Sequence, residues 1–146
     1  MAPYCLIIAE DNPKDFEFLK QMIDDWEHDC VVEHAPDGLV AFELALAHDK
    51  PLIISDIQMP QMNGVDFARA LWERKPQARI VFWSQFKDEM YVRTLAKIVP
   101  PETVYGYVLK SSPRDKISAA VATVLFDDQC WICLLYTSDA ADEEDS

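Results

Sequence analysis

The chain has 146 residues, half of them hydrophobic, and a formal net charge of -13 at pH 7. One domain with a sizeable core is expected at that length, and the acidity argues against direct nucleic-acid binding, which selects basic surfaces. No apolar run approaches membrane-spanning length and no export signal opens the chain, so a cytoplasmic protein without membrane contact is expected.

Tyr4 to Ala9 is an apolar run that ends at Glu10-Asp11, and Asn12-Pro13 then forms a helix cap with proline in the first turn. Phe16, Leu19, Met22, Ile23 and Trp26 recur at helical spacing. Cys30 to His34 reads as a second short strand, and Asp37 caps a helix whose apolar face is expected to include Val40, Leu44 and Ala47. Leu52 to Ser55 is a third, buried strand that delivers Asp56 at its end. A carboxylate is costly there unless something cationic meets it. Asn63 caps the next helix, which carries Val65, Phe67, Leu71 and Trp72 and stops at Pro76.

Arg79 to Trp83 is the fourth strand, with Ser84 at its end, and Phe86 to about Val99 reads as helix until Pro100-Pro101. Val104 to Leu109 is the fifth strand, ending at Lys110. Ser112-Pro113 repeats the cap-plus-proline start of a last helix lined by Ile117, Val121, Val124 and Leu125. Five strands alternating with five helices predict an α/β fold, a doubly wound parallel sheet with helices on both faces. The four cysteines (Cys5, Cys30, Cys130 and Cys133) show no disulfide framework and read as buried, reduced thiols. His28, His34 and His48 are scattered, and surface or capping roles outweigh metal ligation.

In such a sheet, ligands gather outside the carboxyl ends of the strands. Glu10, Asp11, Asp56, Ser84 and Lys110 all fall at such ends. Three carboxylates at one edge raise each other's pKa, and a hard divalent cation with oxygen ligands, Mg²⁺ above all, removes that conflict. The combination describes a phosphoryl-handling site.

With these residues in order, the sequence resembles the receiver domain of bacterial two-component response regulators. The resemblance rests on Glu10-Asp11, Asp56, Met59-Pro60, Asn63-Gly64, Ser84, and Lys110 within Gly106-Tyr107-Val108-Leu109-Lys110. It implies a flavodoxin-like (βα)5 fold with strand order 2-1-3-4-5, built from residues 1–127. It implies that Asp56 accepts a phosphoryl group from the phosphohistidine of a sensor histidine kinase or phosphotransfer protein. Glu10, Asp11, Asp56 and the backbone carbonyl of Gln58 are the implied Mg²⁺ ligands, and Lys110 and Ser84 the implied partners of the phosphoryl group. Tyr107 is the implied switch aromatic, turning inward as Ser84 moves toward the site. The face formed by the fourth helix, fifth strand and fifth helix is the implied output surface and a candidate homodimer face.

Three departures from the pattern carry expectations of their own. Gln58 and Phe86, each two residues beyond a site residue, flank the route of an attacking water, and the bulky Phe86 predicts slow self-dephosphorylation. Extra length around Lys97 to Thr103 is expected on the output face. Ser111-Ser112-Pro113 after Lys110 resembles regulators whose receiver precedes a helix-turn-helix output domain. Residues 133–143 resemble the in-frame translation of a sequencing-library adapter, so 128–132 read as a truncated linker and 133–146 as a non-native, disordered tail. Two other function classes stay open: a pseudo-receiver acting only as an interaction module, and a Mg²⁺-dependent aspartyl-phosphate phosphohydrolase. The latter usually has an acid where this chain has Gln58.

Overall fold

A computed structural model describes residues 4–85, 89–127 and 129–132. Six strands, β1 (Tyr4–Ala9), β2 (Cys30–Ala35), β3 (Leu52–Ser55), β4 (Arg79–Ser84), β5 (Tyr105–Leu109) and β6 (Trp131–Ile132), alternate with five helices. The helices are α1 (Pro13–Asp24), α2 (Gly38–Leu46), α3 (Gly64–Arg74), α4 (Glu89–Ile98) and α5 (Arg114–Phe126). Every strand pairing is parallel and the order is β2-β1-β3-β4-β5-β6. The expected 2-1-3-4-5 core is present, with one short strand added outside β5. No helix among the described residues is long and apolar enough to cross a membrane.

Strand periodicity divides the core in two. Ile7, Ala9, Ile53, Ile80, Phe82 and Tyr107 pack with α2, α3 and α4 on one face. Leu6, Ile8, Ile54, Val81, Trp83 and Val108 pack with α1 and α5 on the other. Both faces of the central strands are buried, which is why they read as unbroken apolar runs rather than alternating ones.

Helix starts follow local chemistry. Asn12 Oδ1 accepts from the backbone N–H groups of Lys14 and Asp15, Asp37 Oδ1 from that of Val40, and Asn63 Oδ1 from that of Asp66. Each satisfies donors that the first helical turn leaves unpaired. Ser112 does not repeat the pattern. Pro113 is itself the cap residue of α5, with φ -59° and ψ 149°, and it offers no side-chain cap bond; within the first turn the Lys116 N–H donates to Asp115 Oδ1 at 3.0 Å.

The buried side of α2 matches the expected one only in part. Gly38, Ala41 and Ala45 are buried, Val40 and Leu44 pack against the core half-buried, and Ala47 is exposed. Nearly every residue of α2 is apolar, so hydrophobic spacing cannot select a face, and close packing selects the small residues. A Cβ on Gly38 would lie 2.0 Å from the Met62 carbonyl oxygen, so this helix start must be glycine to sit against the β3–α3 loop.

Of residues 129–132, Trp131 and Ile132 form β6 and pair with Gly106 and Tyr107. Gly106 permits this: a Cβ there would come 2.8 Å from Val124 Cγ2 and 3.1 Å from the Trp131 carbonyl oxygen. The Pro100–Thr103 turn, with Glu102 at φ 68°, lies toward the start of β5, and Thr103 Oγ1 donates to the Pro76 carbonyl. The extra length therefore rests on the α3–β4 connection, at the base of the face formed by α4, β5 and α5 rather than across it. Cys130 is exposed, and Cys5 and Cys30 are half-buried, so the described thiols are more accessible than expected.

Candidate functional site

Strand register assembles the site. Ala9 is level with Ser55, so Glu10 and Asp56 leave the sheet side by side, and the Asp56 N–H donates to the Ala9 carbonyl at 2.9 Å. Ser84 is level with Leu109, so Lys110 emerges next to it, its N–H 2.8 Å from the Ser84 carbonyl. A cleft of about 370 Å³ at this edge is lined by Glu10, Asp11, Asp15, Asp56, Gln58, Ser84 and Lys110, among others.

Asp56 is held at both oxygens. Oδ1 accepts from the Ile57 N–H at 2.7 Å and the Gln58 N–H at 3.3 Å, while Oδ2 accepts from Lys110 Nζ at 3.1 Å. The loop that carries it doubles back tightly, with the Gly64 N–H 2.7 Å from the Ile57 carbonyl. A Cβ on Gly64 would sit 2.3 Å from the Asp56 carbonyl oxygen. Glycine is required there by close approach, and any side chain would push the acid out of register.

Lys110 serves three acids. Its ammonium lies 2.9 Å from Glu10 Oε1, 2.8 Å from Asp15 Oδ2 and 3.1 Å from Asp56 Oδ2, and 4.8 Å from the centre of the Trp83 ring. Burial alone would lower its pKa, but the bonds to Asp15 and Glu10 and the charge of Asp56 together outweigh it and hold the lysine above its ordinary value. Glu10 is 1% exposed. Burial pushes its carboxyl up to about 7, Asp56 adds to that rise, and Lys110 and the Asn12 N–H oppose it. Trp83 Nε1 donates to Glu10 Oε1 at 3.0 Å, and the Asn12 N–H reaches Oε2 at 3.1 Å.

Four participants were not singled out from the sequence. Asp15 is in the first turn of α1, where the Asn12 cap aims it back at the strand ends; its distance from Glu10 along the chain held that signal. Trp83 immediately precedes Ser84, but its side of the strand was not legible. His34 Nε2 lies 2.8 Å from the Glu10 carbonyl, an acceptor that requires the ring nitrogen to donate, and its ring lies tilted against Phe16 with centroids 4.1 Å apart. Tyr91 on α4 accepts from Gln58 Nε2 at 3.4 Å, a direct bond between the cleft and that helix.

Of the residues singled out from the sequence, Glu10, Asp11, Asp56, Gln58, Ser84 and Lys110 line one cleft. Tyr107 is elsewhere: its ring is fully buried in the core beneath α2–α4, already on the inside. Phe86 lies outside the described residues, as do residues 133–146.

Carboxylate oxygens of Glu10, Asp11 and Asp56 lie within 4.8 Å of one another. The donors are all oxygen, and Asp11 is exposed, leaving room for water ligands. Burial is the main reason the Glu10 carboxyl is raised, and the Asp56 charge adds to it; a hard divalent cation would relieve that second contribution. The residues present fit such an ion.

Comparison with known proteins identifies the family. The family model described as "Response regulator receiver domain" matches residues 6–122. The nitrate/nitrite response regulator protein NarL of Escherichia coli (strain K12) is 33% identical over 80% of this chain and 53% of its own length. The transcriptional regulatory protein DegU of Brevibacillus brevis is 31% identical over 82% of this chain and 49% of its own. The chain thus spans about half the length of the curated relatives it matches. Among solved structures, the signal receiver domain of an HD domain-containing protein from Pseudomonas fluorescens Pf-5 superposes with a TM-score of 0.74 at 16% identity, covering 87% of this chain and 98% of that one. The Vibrio cholerae chemotaxis protein CheY4 does so with a TM-score of 0.70 at 20% identity, covering 85% and 100%. At those identities the likeness concerns the fold, whereas the family model reaches the sequence itself: this chain belongs to the response regulator receiver domain family.

Proposed function

We propose that the chain is a phosphorylation-driven switch in which Asp56 takes a phosphoryl group from the phosphohistidine of a sensor histidine kinase or phosphotransfer protein. The observation that carries this reading is Lys110 Nζ bridging Asp56 Oδ2 and Glu10 Oε1 in a cleft of acids. Phosphoryl transfer is chiefly positioning and charge neutralisation, and these groups supply both. Mg²⁺ held by Glu10, Asp11, Asp56 and the Gln58 carbonyl, directly or through water, would neutralise charge on the phosphoryl oxygens.

Two backbone N–H groups pin Asp56 Oδ1, so Oδ2 is the attacking atom. Its lone pair forms the new P–O bond as the P–N bond to the donor imidazole breaks, and the departing nitrogen takes its proton from solvent. Lys110 then shifts from the carboxylate to a phosphoryl oxygen. The Ser84 hydroxyl donates to another, which draws the end of β4 toward the cleft. Tyr107, level with Phe82 on β4 and inside already, supports that inward position of the strand end. The Gln58–Tyr91 bond offers a second route to α4. The α4–β5–α5 face is the output surface on this reading, and the kinase or phosphotransfer partner approaches the cleft.

The test is intact mass over time with Mg²⁺ and a small acyl-phosphate donor. A single stable phosphoryl adduct, absent in Asp56→Asn, is expected. Steady consumption of donor would indicate a phosphohydrolase instead, and no adduct a pseudo-receiver.

A further inference from the structure

We infer that Cys5, Glu33 and His48 form a second metal site, for a borderline-soft divalent cation of the zinc class. It lies on the α2 face of the sheet, toward the start of β1. Parallel pairing sets Ile7 level with Glu33, so Cys5 and Glu33 are close on adjacent strands, and both project to the side that α2 covers. His48 follows α2 directly and completes the group. Its backbone is anchored on both sides: the His48 N–H donates to the Ala45 carbonyl at 3.1 Å, and its own carbonyl accepts from Lys75 Nζ.

The three donor atoms are mutually close. Cys5 Sγ is 3.4 Å from Glu33 Oε1 and 3.7 Å from His48 Nε2, and those two are 2.9 Å apart. A tetrahedral ion with bonds of about 2.3 Å to sulfur and about 2.0–2.2 Å to nitrogen and oxygen needs donor separations of roughly 3.4–3.6 Å. The two edges that include sulfur already match. The third must open by about half an ångström, which replaces the hydrogen bond between His48 and Glu33 with two metal bonds.

Chemistry favours the ion over the alternatives. Burial and the hydrogen bond to Glu33 push the Cys5 thiol up to about 11, so as a bare thiol it is a poor nucleophile and an unsuited redox sensor. A divalent cation reverses that penalty: thiolate, carboxylate and neutral imidazole together cancel its charge. Binding releases the thiol proton, and any proton on the imidazole, to solvent. Side-chain exposures of 30% for His48 and 35% for Glu33 leave an entry path and a fourth position for water. A sulfur- and nitrogen-containing donor set selects zinc-class ions over Mg²⁺. The acidic cleft, about 16 Å away along β1 at ~3.3 Å per residue, offers oxygen only. Such an ion would tie β1, β2 and the α2–β3 connection together.

Titration of the metal-free full chain with Co²⁺, in excess Mg²⁺ to occupy the acidic cleft, tests the site. Expected are one equivalent of bound Co²⁺, a near-ultraviolet sulfur-to-cobalt charge-transfer band, four-coordinate visible bands, and displacement by Zn²⁺. Cys5→Ser should remove the near-ultraviolet band and Cys30→Ser should leave it. His48→Gln, at a half-buried position outside the sheet, should weaken binding more than tenfold, since altering groups that only support a ligand already costs about 10–100-fold. Zn²⁺ should raise the melting temperature of the unmodified chain and leave that of His48→Gln unchanged. No charge-transfer band, a band that survives Cys5→Ser, or a Zn²⁺ stabilisation that survives His48→Gln would each overturn the assignment.

Discussion

Two neighbouring aromatics on β4 face opposite ways. Phe82 turns toward α2–α4 and meets Tyr107 in a core of apolar groups, whereas Trp83 turns toward α1 and α5 and ends in an N–H bonded to Glu10. On one face the strand end backs onto packed rings; on the other it ends as packing plus a donor that holds a site carboxylate. The difference shows that a strand of period two can assign two tasks to adjacent residues, fixing the acid with one and backing the strand end with the other.

The largest expected effects come from breaking each side outright. Tyr107→Ala and Trp83→Ala should each cost about 3–5 kcal/mol of stability in chemical denaturation, because both rings are buried. Trp83→Phe isolates the contrast by keeping a ring and removing only the donor. It should move the Glu10 carboxyl still higher in a carbon-13 NMR titration without Mg²⁺, while Tyr107→Phe should leave that titration in place. Equal shifts from both would erase the division of labour.

Next in size is Lys110→Ala, which strips the shared ammonium from Glu10, Asp15 and Asp56. Adduct formation should fall by about 100-fold or more, and stability at pH 8 by about 3 kcal/mol, as when one partner of a buried ion pair is removed. The stability loss should shrink toward pH 5, where Glu10 takes up a proton. The same acid sets a trend in the unmodified, Mg²⁺-free chain. Its folded pKa of about 7 lies above the ordinary 4.5, so the folded state binds more protons between those values. Stability from this group therefore falls as pH rises from about 5 to about 8. Lys110, held above its ordinary pKa, contributes no slope in that window. Glu10→Gln should flatten the trend in thermal melts at several pH values, and Mg²⁺ should reduce it.

Asp15→Asn should be the mildest change. Its side chain is 33% exposed, and it is one of three partners of Lys110. Freeing the lysine toward Asp56 should speed adduct formation by about twofold, within the range of a partly exposed ion pair, and leave the Trp83–Glu10 bond intact.

The parts of this molecule legible in its sequence are those encoded within a few residues. Asn12, Asp37 and Asn63 announce helix starts because capping is local, and Asp56 announces itself because an acid ends an apolar strand. Asp15 reaches the site through the Asn12 cap together with the packing of α1, and His34 joins only through the pairing of β2 with β1, which no local pattern reports. The same holds for Cys5, Glu33 and His48, three scattered residues until parallel register aligns two of them. On α2 the apolar pattern was too continuous to choose a side. At Ser112 the cap signature was present, but the helix begins one residue later, at the proline's own carbonyl, where the Lys116 and Ile117 N–H groups donate.

The pairing of Trp131 and Ile132 along Gly106 and Tyr107 has a bearing on recruitment. A visiting protein that sought to extend the sheet at this border would meet an occupant and have to compete with it. Its apparent affinity would be reduced by the fraction of time the border stands vacant. The occupant would thereby act as a built-in threshold for assembly at that border.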